Sequence, residues 1–362
     1  MNHHLLRAAA SNSNGPLIGL GAKYKDPPPG VPADINSIAF SPSGDAIAMT
    51  AYGNYPYVSV YRWNYLTGFG ARYDDPVGGF GFNPGFPNFD GPYKIRFSPS
   101  GDAIAIFRSK SPGGTIDVYK WNSATGFGDK YPELNVLNPN NMISDFEFSP
   151  DGKAIVINQY YSGYDCGLIA FTWDSTIGFG AQYPSPPGQR NAVYGRRVAF
   201  NKTGTVVCNL GLYSPYVDAY SWDSNVGFGT QYTDTTISSS YSWVNSINFS
   251  YDNKAVGITA YDPTNGYRAH MYSWNDATGF GTKYNDIPSN LVDAEGKEDM
   301  IFSPTNNSAV MWGYFPPGGG KICIDYTLNT NVGFGSTYYG VNGGERTAAF
   351  SPSGNVLAVS SF

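Results

Sequence analysis

IRFSPSGDAIAIFRSKSPGGTIDVYKWNSATGFGDKY, residues 95–131, is the stretch that decides the fold, because its opening and closing phrases recur along the whole chain. The opening phrase, a short apolar strand followed by a tight turn and a second apolar run, begins at Ile38, Ile95, Phe146, Val198, Ile247, Met300 and Ala348. The closing phrase, Gly-x-Gly-x-x-Tyr, begins at Gly19, Gly68, Gly126, Gly178, Gly227, Gly279 and Gly333. Seven repeats that fill 362 residues determine the architecture before any single motif does.

Each repeat carries the signals of four short strands. Ile95 and Phe97 alternate with Arg96, which is the period of a β-strand. The turn SPSG follows, and the apolar run 103–107 after it is expected to be covered on both faces. Residues 116–131 contain a third strand, another turn and the beginning of a fourth strand.

The repeat predicts an all-β fold: a seven-bladed β-propeller of four-stranded antiparallel blades in a single domain, residues 1–362. A sheet that is apolar on both faces is stable only between like sheets, and a closed ring gives every blade two neighbours. The N-terminal segment 16–27 matches a fourth strand, and the C-terminal segment 347–362 matches a first and a second strand. Residues 1–27 and about 345–362 are therefore expected to form blade seven together and so to close the ring.

Charge and composition exclude several classes of partner. The formal net charge is −6 and no run of Lys and Arg occurs, so nucleic acid is not an expected partner. No apolar run reaches the roughly 18 residues of a membrane helix, and no signal peptide is recognised, so we expect no membrane insertion. Cys166, Cys208 and Cys323 lie in separate apolar strands, which favours buried free thiols in a protein made in a reducing cytoplasm.

The residues that recur in every repeat are interpreted as structural. A tryptophan stands five residues before the repeat glycine in five repeats, and a Phe lies between the paired glycines in six. Recurrent aromatic side chains of this kind pack blade against blade, and the glycines are expected to have positive φ. The aromatic residues are Trp63, Trp121, Trp173, Trp222 and Trp274, with Phe69, Phe127, Phe179, Phe228, Phe280 and Phe334.

The connections that vary in length are the candidates for binding. They join second to third and fourth to first strands, and both kinds emerge on one face of the predicted propeller, where variable loops on a rigid frame carry function. Connection 76–92 is the longest and is rich in Phe, which suggests a protein contact, with a loop folded over its own blade as the alternative. The shorter loops carry Tyr, which suits protein or glycan recognition. The candidate binding residues are Phe80, Phe82, Phe86, Phe89, Tyr55, Tyr57, Tyr161, Tyr164, Tyr213, Tyr216 and Tyr267.

The sequence offers little material for catalysis. His3, His4 and His270 are its only histidines, so a multi-histidine metal site or a hydrolase triad lacks partners. Acidic residues at the hairpin turns are explained by hydrogen bonds to the backbone. We therefore expect no catalytic residue, no metal and no cofactor, and leave open only paired carboxylates that the fold alone could bring together.

The phrases FSPSGDAIA, YVSVYRWN and TGFGARY resemble the repeats of WD40-like propellers, although the partner histidine of WD40 repeats is absent. The phrase WNSATGFGDKY, residues 121–131, is similar to tandem-repeat proteins of tailed bacteriophages, and this likeness covers all seven repeats. It implies a virion component, such as a tail, fibre or particle decoration protein, that is assembled in the cytoplasm of the host cell.

The expected function is thus a non-enzymatic structural or binding propeller of a phage virion. Its expected partners are capsid, tail or fibre proteins, together with a host surface glycan or protein. One alternative is a lectin-like adhesin that binds a bacterial surface glycan through the loop tyrosines. A second alternative is a propeller hydrolase or lactonase.

Overall fold

The structure, a computed structural model of the chain, describes residues 24–25, 28, 31, 35–51, 56–80, 91–109, 114–134, 142–160, 167–188, 195–211, 216–232, 243–262, 266–284, 299–305, 308–315, 320–337, 341–342 and 347–360. Within these ranges the regular structure consists of β-strands, which confirms the all-β prediction. A helix that could cross a membrane is not found among the same residues.

Six blades of four strands each follow one another along the chain. Blades 1 to 3 contain β1 (Ile35–Phe40), β2 (Ala46–Ala51), β3 (Val58–Asn64), β4 (Gly68–Arg72); β5 (Gly91–Phe97), β6 (Ala103–Ser109), β7 (Gly114–Asn122), β8 (Gly126–Lys130); and β9 (Met142–Phe148), β10 (Ala154–Tyr160), β11 (Gly167–Asp174), β12 (Gly178–Gln182). Blades 4 to 6 contain β13 (Gly195–Phe200), β14 (Val206–Gly211), β15 (Val217–Asp223), β16 (Gly227–Tyr232); β17 (Trp243–Phe249), β18 (Ala255–Asp262), β19 (Gly266–Asn275), β20 (Gly279–Lys283); and β21 (Asp299–Phe302), β22 (Ser308–Phe315), β23 (Gly320–Asn329), β24 (Gly333–Thr337).

The strands of each blade are hydrogen-bonded in chain order, so the first strand lies at one edge of its sheet. In blade 6 the short strand β25 (Val341–Asn342) also pairs with β23. The first strands of blades 1, 2, 4 and 5 are interrupted by a register shift, which falls between Ile35 and Ser37 in blade 1 and between Gly195 and Arg197 in blade 4. Such a bulge re-aims the side chain that follows it.

The prediction of seven four-stranded blades is correct for six of them. The C-terminal repeat forms a hairpin, β26 (Ala348–Phe350) paired with β27 (Leu357–Val359), and no further strand of that repeat is found among the residues that the structure describes. Most of the N-terminal segment that was expected to complete it, residues 1–23, lies outside the described residues. The described chain therefore has six four-stranded blades and one two-stranded hairpin.

The chain divides into two compact units. The first contains residues 1–143, 173–180 and 345–362, and the second contains residues 144–172 and 181–344. First strands of consecutive blades contact each other inside each unit. β1 packs against β5 in the first unit, and β17 packs against both β13 and β21 in the second.

The second strand of each blade supplies much of the core. Ala103, Ile104, Ala105 and Ile106 of β6 are all at most 1% exposed, although they alternate between the two faces of the sheet. Burial on both faces confirms the prediction for the run 103–107 and requires a packed layer on either side of the blade.

A tyrosine joins each blade to the next. The tyrosine that closes the Gly-x-Gly-x-x-Tyr phrase, here called the interblade tyrosine, stands edge-on to the tryptophan of the following blade. Tyr183 and Trp222 have ring centroids 5.1 Å apart, and the Tyr183 hydroxyl donates to the Ser224 carbonyl oxygen at 2.5 Å. The same ring contact recurs between Tyr73 and Trp121 at 4.9 Å. The recurring tryptophans therefore pack blade against blade, as predicted.

The repeat glycine makes this contact possible. Gly68, Gly126, Gly178, Gly227, Gly279 and Gly333 all have positive φ, as predicted, whereas the second glycine of a pair, such as Gly70 or Gly128, does not. A Cβ built on Gly227 would lie 2.9 Å from Cδ1 of Tyr183, which is closer than side chains tolerate. The glycine is thus required both by its own backbone and by the tyrosine of the preceding blade.

A second contact pairs a carboxylate with a hydroxyl across blades. One partner lies in the turn between the first two strands of a blade. The other lies in the following blade, two positions after the tryptophan, or after Leu328, which replaces the tryptophan in blade 6. Ser224 donates to Asp151 at 3.0 Å, and Thr330 donates to Asp252 at 2.7 Å. Between blades 4 and 5 the roles are exchanged, since Thr205 in the turn donates to Asp276 in the next blade at 2.6 Å. Each of these three contacts contains one carboxylate and one hydroxyl.

The hydrogen bonds lower the pKa of the turn carboxylates. Burial would raise the pKa of Asp102, but hydrogen bonds from two serines of its own turn and from Ser175 of the next blade outweigh it. The pKa of Asp252 is lowered in the same way, with burial opposed chiefly by the hydrogen bond from Thr330. A carboxylate with a lowered pKa contributes stability above its unfolded pKa of about 3.9, and that stability is lost as pH falls through the folded pKa. The interblade contacts are therefore strongest at neutral pH and weaken in acid.

Substitutions at Gly126 and Gly78 distinguish two contributions to the free energy of unfolding: the strain of a side chain at positive φ, and its clash with a neighbouring side chain. Both have positive φ, +89° and +84°, but a Cβ on Gly126 would lie 3.0 Å from Cδ1 of Tyr73, whereas one on Gly78 would meet nothing within 4 Å. We expect Gly126→Ala to lower the free energy of unfolding by about 2–4 kcal/mol and Gly78→Ala by about 1 kcal/mol. Urea unfolding followed by tryptophan fluorescence measures both. Equal losses would contradict the role given to Tyr73.

Exchanging Thr205 and Asp276 tests the carboxylate–hydroxyl contact. The Thr205→Asp variant places two carboxylates face to face, so we expect a loss of about 1–3 kcal/mol at pH 7. Adding Asp276→Ser restores one carboxylate and one hydroxyl and should recover most of that loss. At pH 3 the single variant should be closer to the parent chain, because protonation removes the repulsion. Additive losses in the double variant at pH 7, measured by the same unfolding curves, would refute the pairing rule.

Candidate functional site

One position of the first strand differs in chemistry from blade to blade. It is the residue three places before the Phe at the end of the first strand, such as Phe40 or Phe200, and it is here called the third position. Its side chains share a polar character and include both acids and bases. The seven residues are Ser37, Lys94, Asp145, Arg197, Ser246, Asp299 and Thr347.

Short acceptors at the third position satisfy the free edge of the next blade. The Ser37 hydroxyl accepts a hydrogen bond from Ile95 N at 3.3 Å. In the same relation, Asp145 Oδ2 accepts one from Val198 N at 3.0 Å. The first strand lies at the edge of its sheet, so its outward N–H groups need such partners. At Ser37 and Asp145 the third position therefore has a structural role.

Arg197 departs from this pattern, because a guanidinium cannot accept a hydrogen bond. Its Nη2 instead lies 2.7 Å from Oδ2 of Asp299, the third-position residue of blade 6. The two side chains belong to β13 and β21, and β17 of blade 5 packs against both of these strands. The two side chains remain 38% and 17% exposed, so solvent reaches both.

Two carboxylates act on Arg197. The Asp299 carboxylate raises the pKa of Arg197, burial opposes it, and the Asp145 carboxylate raises the pKa further. Asp145 itself is 1% exposed and accepts hydrogen bonds from Phe146 N at 2.8 Å and from Val198 N. It therefore contributes charge and position to the site but is closed to a ligand.

Blade 3 fixes the strand that carries Arg197. Asn158 Nδ2 donates to the Arg197 carbonyl oxygen at 3.1 Å, and Glu147 Oε2 accepts from Phe200 N at 3.1 Å. With the Asp145 contact, three side chains of blade 3 hold three backbone groups of β13. The bulge between Gly195 and Arg197 adds a local twist just before the arginine. The guanidinium is thus presented from a firmly held strand.

Arg197 and Asp299 together can perform carbonyl chemistry. A guanidinium offers several donors in a fixed fork, so one can hold Asp299 while another meets the oxygen of a polarised carbonyl. A carboxylate beside it can accept a proton from water. Among the residues that the structure describes, no group of three His, Cys, Asp or Glu side chains is placed to hold a metal ion.

The residues predicted from the loops fall into two groups. Phe80 is partly buried, with its ring centroid 5.4 Å from that of Phe127 and 5.9 Å from that of Tyr119. Tyr216 is partly buried against the core of blades 4 and 5, and Tyr57 is half-buried. Phe80 thus packs on blade 2. The others lie outside the described residues, or in the case of Tyr267 have only their backbone described: Phe82, Phe86, Phe89, Tyr55, Tyr161, Tyr164, Tyr213 and Tyr267. Binding through these loops stays a prediction.

Sequence reasoning missed Arg197 and Asp299. It searched for histidine-based triads and for variable loops, and both residues lie inside the regular repeat. A usable signal is present in the alignment of the seven repeats, where Lys94 and Arg197 are the cations at a position otherwise filled by short acceptors. The carboxylate that faces Arg197 comes from two repeats further on, and only the fold brings the two together.

The chain is similar in structure to solved proteins over almost its whole length. A candidate 6-phosphogluconolactonase of Bacteroides uniformis matches with a TM-score of 0.61 at 13% identity, covering 94% of this chain and 97% of the other. The periplasmic gluconolactonase of Pseudomonas aeruginosa matches with a TM-score of 0.61 at 13% identity, covering 98% of each chain. Hydrazine synthase of Kuenenia stuttgartiensis matches with a TM-score of 0.60 at 12% identity, covering 91% and 94%. At this identity the likeness establishes the propeller fold alone.

No family model matches the sequence, and a search of curated proteins finds no relative. The resemblance to WD40-like repeats and to phage repeat proteins is therefore supported only as far as the propeller fold.

The prediction of a non-enzymatic virion component is wrong, because the similar structures include proteins named for lactone hydrolysis. That prediction treated histidine or metal as the precondition for catalysis, although an arginine and a carboxylate can also serve as a donor and a base. The predicted virion and host-surface partners and the virion location are tested by none of these observations and stay predictions.

Proposed function

We propose that this chain is a propeller hydrolase that opens lactone rings at the Arg197–Asp299 pair. The observation that carries the proposal is the ion pair itself, a 2.7 Å contact between two solvent-accessible groups on the first strands of blades 4 and 6. Whole-chain structural similarity to a gluconolactonase and to a candidate 6-phosphogluconolactonase supports the class of reaction.

Arg197 would bind the carbonyl oxygen of the lactone. Negative charge builds up on that oxygen when water adds to the carbonyl carbon, and a fixed cation stabilises it. Asp299 and Asp145 keep the guanidinium charged, and the contacts from blade 3 keep its strand in place. The donor is therefore preorganised for the charge that develops in the transition state.

Asp299 would carry the proton. Its Oδ1 accepts a hydrogen bond from Met300 N at 2.9 Å and its Oδ2 binds Arg197, and each oxygen keeps a second lone pair. The attacking water gives one proton to Asp299 as its oxygen bonds to the carbonyl carbon. The ring C–O bond then breaks, and the same proton passes to the departing ring oxygen. One lactone and one water thus yield one open-chain hydroxy acid.

Lactone hydrolysis is measured as proton release from a sugar δ-lactone in weak buffer at pH 7, corrected for the spontaneous rate. We expect Arg197→Lys, which keeps the charge but loses the fork, to lower kcat about 10²-fold, and Asp299→Asn to lower it about 10²- to 10⁴-fold. Melting curves establish that the variants remain folded.

Arg72→Lys is the matched control, because Arg72 also holds an aspartate, Asp75, at 2.5 Å but lies at the end of a fourth strand. It should keep full activity. An active parent chain whose Arg197→Lys and Asp299→Asn variants both retain its rate would reject the assigned site, and an inactive parent chain would reject the reaction.

We also propose that the C-terminal hairpin and the segment around Tyr24 belong to one seventh blade. Tyr24 meets blade 1 as an interblade tyrosine does, with its ring centroid 5.2 Å from that of Trp63. Pro352 of the hairpin lies 3.7 Å from a Cβ built on Gly44, and Pro42 stands 3.6 Å from the corresponding position on Gly101. Both terminal segments contact blade 1 in the manner of a preceding blade, which supports a ring closed by strands from both ends.

The Tyr24→Ala variant tests whether the N-terminal segment belongs to the seventh blade. The reference is Tyr131→Ala, which removes an interblade tyrosine between two complete blades. If Tyr24 belongs to a blade, both variants should lower the free energy of unfolding by about 2–4 kcal/mol in a single cooperative transition. A loss below about 0.5 kcal/mol for Tyr24→Ala alone would mean that the N-terminal segment is not part of the folded ring.

A further inference from the structure

We infer that the backbone N–H of Ile247 is a second hydrogen-bond donor to the lactone carbonyl oxygen, beside the guanidinium of Arg197. This inference rests on the proposed lactone hydrolysis and adds a catalytic group to the same site. It follows from the hydrogen bond that an arginine at the third position cannot accept.

The register of β17 turns the Ile247 N–H away from its own sheet. Ile247 lies opposite Ile258, just as Ile95 of blade 2 lies opposite Ile106. Alternate residues of an edge strand direct their N–H groups outward, so two residues at equivalent register share that direction. Because Ile95 N donates to Ser37 of the preceding blade, Ile247 N is directed toward the blade that carries Arg197.

In blades 2 and 6 an acceptor side chain meets the N–H at this position, by two different routes. In blade 2 the third-position residue of the preceding blade accepts, since Ser37 Oγ receives Ile95 N at 3.3 Å. In blade 6 the third-position residue of the same strand accepts, since Asp299 Oδ1 receives Met300 N at 2.9 Å. The donor is therefore satisfied either from the preceding blade or from its own strand.

Neither route serves Ile247 N. The third-position residue of the preceding blade is Arg197, and a guanidinium has no acceptor. The third-position residue of β17 itself is Ser246, whose hydroxyl is bonded at 2.9 Å to the Thr259 hydroxyl on β18 instead. Ile247 is only 3% exposed, so bulk water has little access to its N–H. A buried donor without an acceptor is costly, and the oxygen of a ligand would remove that cost.

This N–H lies on the strand between the two members of the Arg197–Asp299 pair, because β17 packs against both β13 and β21. The contact from Ser37 to Ile95 N shows that a third-position side chain starts beside this N–H of the next blade. A guanidinium N–H that does not hold Asp299 and the Ile247 N–H can therefore converge on one oxygen. Two such donors form an oxyanion hole.

The Ile247 N–H would donate a hydrogen bond and give up no proton. Its bond to the carbonyl oxygen strengthens as negative charge builds up there during the addition of water, and it relaxes when the ring C–O bond breaks. Before substrate binds, water that reaches the solvent-accessible pair can occupy the same place. The donor therefore acts mainly on the transition state.

Replacing Ile247 by its α-hydroxy acid analogue in the full chain turns one peptide bond into an ester, which removes the N–H and keeps the side chain. We expect kcat for the sugar δ-lactone to fall about 10²-fold while KM changes by less than about threefold. The same replacement at Ile95, whose N–H is held by Ser37, is the matched control. It should leave kcat within about twofold of the parent chain.

Ser246→Asn tests the same donor with an ordinary variant. Like Asp299 Oδ1 toward Met300 N, the asparagine Oδ1 should accept from Ile247 N, and it does so without adding charge. We expect kcat to fall about 10- to 10²-fold, because the donor is then occupied. Ser246→Ala loses the same bond to Thr259 but leaves the Ile247 N–H unoccupied, so it should keep the parent rate. Melting curves establish that both variants are folded.

An active parent chain whose Ile247 ester and Ser246→Asn variants both keep its kcat overturns this inference and leaves the Arg197–Asp299 site in place. A higher KM with unchanged kcat in the ester variant also overturns it, because the N–H would then bind substrate without stabilising the transition state. A parent chain that does not hydrolyse the lactone overturns both proposals.

Discussion

The fold depends on the contact between the tyrosine at the end of one blade and the positive-φ glycine of the next. A blade that is apolar on both faces cannot be stable alone, so the molecule needs an interface that repeats identically. The tyrosine provides it by packing edge-on to a tryptophan, by donating its hydroxyl to the following turn, and by lying where a Cβ would otherwise be, as Tyr183 does against Gly227. The carboxylate–hydroxyl contact is more tolerant, since Thr205 and Asp276 exchange the roles that Asp252 and Thr330 take elsewhere.

The same architecture creates the polar site. Because every blade begins with an edge strand, the backbone of that strand needs partners that its own sheet does not supply. Side chains of the preceding blade provide them, as Asp145 does for Val198 N and Ser37 does for Ile95 N. First strands therefore have to be polar at intervals, although they lie deep in the fold. Polar groups that the scaffold already requires in a buried region are the material from which a catalytic pair can be assembled.

Periodic features of this structure could be predicted from the sequence, and features that break the period could not. The four strands per repeat, the positive φ of glycines such as Gly126, and the blade-to-blade packing of Trp121 follow from residues that recur at fixed spacing. Of the loop candidates, Phe80 packs against blade 2, and binding through the loops stays a prediction. The pairing of Arg197 with Asp299 joins positions 102 residues apart, and no spacing rule connects residues two blades apart. The expectation that catalysis requires a cluster of histidines also kept this pair from being considered.

The proposed function depends on Arg197, a residue at which the repeat is broken. At the third position an acceptor stabilises the edge of the next blade, so a cation there forfeits that hydrogen bond and places a charge in a partly buried region. The structure offsets this with the Asp299 carboxylate of blade 6 and with Asp145 of blade 3, both of which raise the pKa of the guanidinium. A cation at a position that otherwise carries short acceptors, held by a carboxylate two blades away and still open to solvent, fits the proposed catalytic role better than a role in packing.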